Sequence, residues 1–162
     1  MTTTSDAVSR EAAWLNSFGD TLPALAVAQG GPFEVVQPYW PRTPQTRKTG
    51  IYVMRPGFKV ERFANIRQMP HYEFHVRLVW PFSNTIGSEE LENTNFDAAV
   101  DLVLQRILGL PGDKSHGGRF LSVAEKPEFV SFTQEDPAIN FPNRAGFVGT
   151  FAYFADDFEY FG

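Results

Sequence analysis

The segment His71–Phe82, HYEFHVRLVWPF, constrains the fold more than any other stretch, because Tyr72, Phe74, Val76, Leu78 and Trp80 fall at every second position. Side chains of a β-strand point alternately to its two faces, so a period of two predicts a strand with one apolar face. The opposite face carries His71, Glu73, His75, Arg77 and Val79 and is mostly polar, so it is expected to meet water or a partner. A length of 162 residues suits one domain with a real core rather than two. The 16 Phe against 3 Met favour bulky, sheet-like packing over a helical bundle.

The remaining segments are placed around that strand. Residues 1–4 are expected to be disordered, after which Ser5 or Asp6 caps a helix bearing Val8, Ala12, Leu15 and Phe18, ended by Gly19. Thr21–Ala28 reads as a further helical turn or two before the Gly30–Gly31 turn. Residues 32–50 form an extended proline-rich arm, in which Phe33–Val36 is a short edge strand. Tyr39 and Trp40, held between two prolines, either pack onto the domain or contact a partner. Ile51–Arg55 is a strand closed by a tight turn at Pro56–Gly57, and Phe58–Phe63 returns from it. With His71–Phe82 these make a three-stranded antiparallel meander.

Ser83–Asn95 is polar and acidic and is expected to be a loop carrying Glu89, Glu90 and Glu92. Thr94 or Asn95 then caps the clearest helix, whose apolar face is Phe96, Ala99, Val100, Val103, Leu104, Ile107 and Leu108. Arg106 lies near its end, where the helix dipole favours a cation, and Gly109 with Pro111 stops it. Phe120–Ala124, Glu128–Thr133 and a long strand over Gly146–Phe154 extend the sheet. Phe158, Tyr160 and Phe161 follow in a tail expected to fray and expose them. The expected fold is α+β over residues 1–162: a mainly antiparallel twisted sheet, one long amphipathic helix packed on a face, and an N-terminal helix.

Several chemistries are excluded or weakened by the residues present. With no Cys there is no disulfide, no thiolate nucleophile and no Cys-based zinc site, which fits assembly in a reducing cytosol. No run of about 18 apolar residues and no signal-like N-terminus is present, so a soluble protein without membrane contact is expected. His71, Glu73 and His75 project two imidazoles and a carboxylate to one side at steps of roughly 6.6 Å, from which a metal-dependent enzyme could be built only with ligands from a neighbouring strand. Gly112–Asp113–Lys114–Ser115 lacks the glycine a phosphate loop needs before its lysine and follows a helix, and Ser115–His116 are adjacent loop residues rather than a triad. No catalysis and no cofactor are therefore expected. The net charge of −5 argues against general nucleic-acid affinity, although Arg42, Arg47, Lys48, Arg55, Lys59, Arg62 and Arg67 make the middle of the chain basic, with aromatics among them. Residues 1–80 hold nine Lys and Arg against six Asp and Glu, a net +3, whereas residues 81–162 hold five against thirteen, a net −8. Such a sign change suits a protomer whose two faces meet different neighbours.

The arm PYWPRTPQTRKTGIYVMRPG, the strand YEFHVRLVWPF, the helix NFDAAVDLVLQRILGL and the late strand GFVGTFAYF, in that order, resemble the layout of tail terminator proteins of long-tailed bacteriophages. The resemblance covers most of the chain from Glu11 onward and is one of layout, so no functional residue is carried over by motif. It implies a virion protein, made in the host cytoplasm, that forms a homohexameric ring at the head-proximal end of the tail tube. Such a ring stops tube growth, meets the tail tube protein on one side and the head–tail connector on the other, and lets genome DNA pass without sequence-specific binding. Other phage neck or tail-tube subunits share parts of the layout. Under this reading Tyr39, Trp40, Phe158, Tyr160 and Phe161 are candidate assembly contacts. Glu89, Glu90 and Glu92 are candidates for a channel-facing loop, since negative charge there would not adhere to phosphates.

Overall fold

The computed structural model describes residues 4–40, 48–63, 66–82, 89–125, 130–135 and 145–161. A short 3-10 turn, Thr4–Asp6, leads into α1 (Ala7–Leu15), and the sheet begins with β1 (Val35–Gln37) and β2 (Gly50–Arg62). Then come β3 (Arg67–Phe82), α2 (Glu89–Leu108), β4 (Ser122–Val123), β5 (Ser131–Glu135), β6 (Ala145–Asp156) and β7 (Tyr160–Phe161). The seven strands form one sheet in the order β1-β2-β3-β6, with β4 and β5 beside β6 and β7 beside the start of β3. All pairs are antiparallel except β1 with β2. The fold is α+β, as the sequence indicates.

β3 is the centre of the sheet because its apolar alternation is unbroken. Tyr72, Phe74, Val76 and Leu78 are fully buried and Trp80 nearly so, all on the face that α1, α2 and the loop bearing Phe120 cover. Burial of one such side chain contributes about 1.5–3 kcal/mol, so this row alone is a large part of the core's driving force. The opposite, outer face is not uniformly wet. At one end of it Tyr52, Val79 and Val148 form a second small cluster beneath Trp40.

Four expectations are corrected. Pro56–Gly57 does not turn the chain: β2 runs on, and the register passes from Met54↔His75 to Gly57↔Glu73, one extra residue on β2. Proline cannot donate to a ladder, and a bulge is where a strand tolerates it. β2 and β3 come together instead at Phe63 and Arg67, where the Phe63 N–H donates to the Arg67 carbonyl. The expected three-stranded meander is thus one long hairpin whose outer half, from Lys59 to Phe63, is exposed.

The second correction is that the acidic stretch is helical, since α2 starts at Glu89 rather than after Thr94 or Asn95. Carboxylates in a first turn offset the positive end of the helix dipole, which favours helix over loop here. Thr94 sits inside the helix, its hydroxyl donating to the Glu90 carbonyl. Third, α1 ends at Leu15 with Phe18 63% exposed, and Thr21–Ala28 is irregular apart from a 3-10 turn at Val27–Gln29. Fourth, Tyr160–Phe161 is strand β7, paired with Gln68 and Arg67, rather than a frayed tail. The expected strand at Phe120–Ala124 shrinks to β4, and the one at Glu128–Thr133 is described only from residue 130.

Candidate functional site

The outer face of β3 presents His71, Glu73, His75 and Arg77 side by side, as the alternation requires. His71 is bracketed by carboxylates from both neighbouring strands: its Nδ1 lies 2.6 Å from Asp156 on β6 and its Nε2 3.0 Å from Glu61 on β2. Burial disfavours its charge, but these hydrogen bonds outweigh that and hold it above the usual histidine range. His75 turns instead to Glu73, at 3.1 Å. Among the described residues, no three ligating side chains converge in a way that would hold a metal ion. The two imidazoles that sequence spacing pairs are thus drawn to different carboxylates. Gly57, Phe58, Lys59, Phe154 and the His71–Asp156 pair line an open groove of about 450 Å³ on this face. Further along, Arg77 pairs with Glu135 on β5, and its guanidinium lies 4.5 Å from the Trp40 ring centre.

Beneath the sheet lies a set of buried polar groups that periodicity alone did not single out. Glu11 is fully buried, with one oxygen 2.6 Å from Nδ1 of His116 and the other accepting the Tyr153 hydroxyl at 2.7 Å. The His116 Nε2 is 2.7 Å from the Ile107 carbonyl, which can only accept, so Nε2 carries a proton. Trp14 stacks on the imidazole at 4.8 Å. Burial and the adjacent Glu11 push the Tyr153 hydroxyl well above the usual tyrosine range. Arg106, with no exposed surface, donates to Asp20 at 2.9 and 3.2 Å and to the Pro23 carbonyl at 3.0 and 3.1 Å. It thereby pins the irregular 20–23 segment to α2, where backbone carbonyls taken by a guanidinium are lost to a helix.

A third node joins α1 to the end of β6. Asp157 receives both terminal nitrogens of Arg10, at 2.8 and 3.0 Å, the Tyr72 hydroxyl at 2.6 Å and the Phe158 N–H at 2.8 Å. Burial works to raise its pKa, but these donors outweigh it and hold the carboxyl below the usual range. A legible signal for Glu11 and Arg106 exists. Each sits inside an apolar helical stripe, Ala7–Glu11–Trp14 and Ala99–Val103–Arg106, where a lone charge has to be paired. The Glu11 and Asp157 nodes are buried within the fold, the Arg106 node reaches the surface through Asp20, and all three tie its elements together.

The candidate assembly residues are spread over the molecule. Tyr39 is 54% exposed, whereas Trp40 packs edge-on to Tyr52 at 5.0 Å and serves the second cluster. Phe158 is 39% exposed. The backbone of Tyr160 and Phe161 lies in β7, but their side chains are outside the described residues, as are residues 41–47 of the arm and 83–88 before α2. Glu89 and Glu90 are exposed on the first turn of α2, while Glu92 faces the sheet and accepts the Trp80 indole N–H at 3.0 Å.

What sequence reading missed is the end of the β2–β3 hairpin. Phe58, Val60, Phe63 and Ile66 are 41–56% exposed there, among Arg55, Lys59, Arg62 and Arg67. Phe58, Val60 and Phe63 fall on the strand expected to return from a turn at Pro56, and without that turn they lie at the far end of the hairpin. No family model matches the chain, and no curated protein matches it.

Proposed function

We propose that this protein is a structural virion subunit of the tail terminator kind, assembling into a ring, most simply of six, that caps the phage tail tube and joins it to the head connector. The observation that carries the reading is that one rigid strand bears two unlike exposed surfaces at its ends. β3, 16 residues and so about 50 Å long, starts at the apolar hairpin end, where Lys59 and Arg62 are exposed, and finishes beside the acidic start of α2. Unlike surfaces on one protomer support head-to-tail contacts, which close into rings when the rotation allows. The buried polar nodes tie α1, α2 and the sheet together and would act as struts in such an assembly. Glu89 and Glu90, exposed at the start of α2, are the residues we assign to a DNA channel, while Glu92 is occupied by Trp80.

Electron microscopy of particles made without this gene product is expected to show tubes of uncontrolled length or tails lacking heads. Normal-length tails joined to heads would overturn the proposal. Normal tubes that end correctly but attach no head would instead favour a neck subunit above the terminator.

A further inference from the structure

Phe63 and Ile66 protrude at the hairpin end, 47% and 56% exposed, with Arg62 and Arg67 beside them. The Arg67 guanidinium lies 5.9 Å from the Phe63 ring centre and β7 pairs with Arg67 and Gln68, yet both apolar side chains stay about half exposed and form a knob in need of a hole. A matching hole lies at the other end of the molecule. Between α2 and the Gly30–Pro32 turn runs a shallow groove of about 490 Å³, lined by Trp80, Ala98, Ala99 and Leu102. Ala98 and Leu102 are on one helical stripe with Leu91, which is 61% exposed. The next stripe of the same helix carries Glu90, Asp97 and Asp101, all exposed. The groove is thus apolar with an acidic rim, and the knob is apolar with Lys59 and Arg62 exposed beside it, while Arg67 is already held by Glu159 at 3.1 Å and Glu61 turns to His71 at 3.0 Å.

We infer that the hairpin end of one copy seats in the α2 groove of a second copy, Phe63 and Ile66 entering between α2 and the Gly30–Pro32 turn while Arg62 faces Asp97 and Asp101. The inference rests on the ring reading and gives it a specific contact. The two partner surfaces cannot meet within one molecule, since Arg67 and Trp80 stand 13 residues apart on a single strand, roughly 43 Å. The contact is therefore heterologous: each copy offers one knob and one groove, and neither is satisfied until the chain of copies closes. In a closed ring every subunit is held at two such joints, so a joint of modest area suffices. Opposite charge on the rims speeds encounter and fixes the direction of docking.

The absence of cysteine allows a direct test. Full-length protein carrying both Ile66→Cys and Ala98→Cys, oxidised at a concentration where light scattering shows assembly, is expected to give a ladder of covalent multimers on a non-reducing gel. Each single variant should stay monomeric there. Phe63→Asp with Ile66→Asp should sediment as a monomer with an unchanged thermal transition, because both side chains lie outside the core. If the double-cysteine protein assembles but forms no ladder, the contact is wrong and the ring reading survives. A covalent dimer from Ile66→Cys alone would show knob meeting knob and overturn the inference likewise. If unmodified protein remains monomeric at all concentrations and no ladder forms, contact and ring fail together.

Discussion

At the scale of single residues, the stability of this fold depends on a few charges placed where charges are costly. Glu11 is acceptor to both His116 and Tyr153 with no water access, so Glu11→Ala leaves two buried polar groups without a partner. Removing one member of a buried pair costs about 3–5 kcal/mol, and denaturant unfolding should show a loss of that size. The pH dependence has two limbs of opposite sign. Asp157, held below its ordinary value, contributes stability that is present above the unfolded carboxylate range and is lost as pH falls through its folded value. His71, held above its ordinary value, contributes stability present below about pH 6.5 and lost as pH rises through its folded value. Urea titrations across pH should therefore find Asp157→Asn flattening the acid limb alone, and His71→Gln the neutral-to-basic limb alone. These groups were hard to read from sequence for a physical reason. Periodicity reports which face a residue is on, and a paired charge on the buried face breaks the pattern rather than defining it. Glu11 and Arg106 carried the only warning, as charges within apolar stripes.

Elements were legible where one local rule dominated. β3 announces itself by alternation, and the buried face of α2, with Phe96, Ala99, Val103 and Ile107, is the one the 3.6-residue period indicates. Val103→Asp should abolish the cooperative thermal transition by placing an unpaired charge in that face. Boundaries failed where two rules competed. At Pro56 the turn propensity of Pro-Gly lost to a bulge within a long paired strand, and at Glu89 the loop-like composition lost to the helix dipole. The Gly109 stop was read correctly. Its φ of +81° suits glycine, and a Cβ there would meet the Asp113 carbonyl at 2.9 Å. Gly149 hid a different requirement, since a Cβ on it would lie 2.3 Å from the Phe132 ring that crosses it from β5. Overpacking of this kind typically costs about 1–3 kcal/mol, so Gly149→Ala should lower the unfolding midpoint and, by pushing Phe132 aside, loosen β5 first. Amide exchange along Ser131–Glu135 would register that loosening.

For the whole molecule, the charge asymmetry of the two halves turns into geometry where the outer end of β2 exposes Lys59 and Arg62 and α2 sets Glu90, Asp97 and Asp101 at the other end of the sheet. If copies join through those ends, assembly should weaken with salt. The screening length is about 10 Å at 0.1 M and about 3 Å at 1 M, so sedimentation at high salt should shift towards monomer while the apolar core keeps the fold intact. The order of strands also governs how the chain comes into being. β3 lies between β2, which precedes it, and β6, from which residues 83–144 separate it. During synthesis the central strand therefore pairs on one side only and shows an open edge, with a row of large apolar side chains, until β6 emerges from the ribosome. Such a nascent chain is an aggregation hazard and folds slowly, since its decisive pairing is non-local. A cell making many copies at once would have that edge exposed on each of them, so lowering the chaperone supply is expected to cut the yield of folded subunits even though the finished core is unchanged.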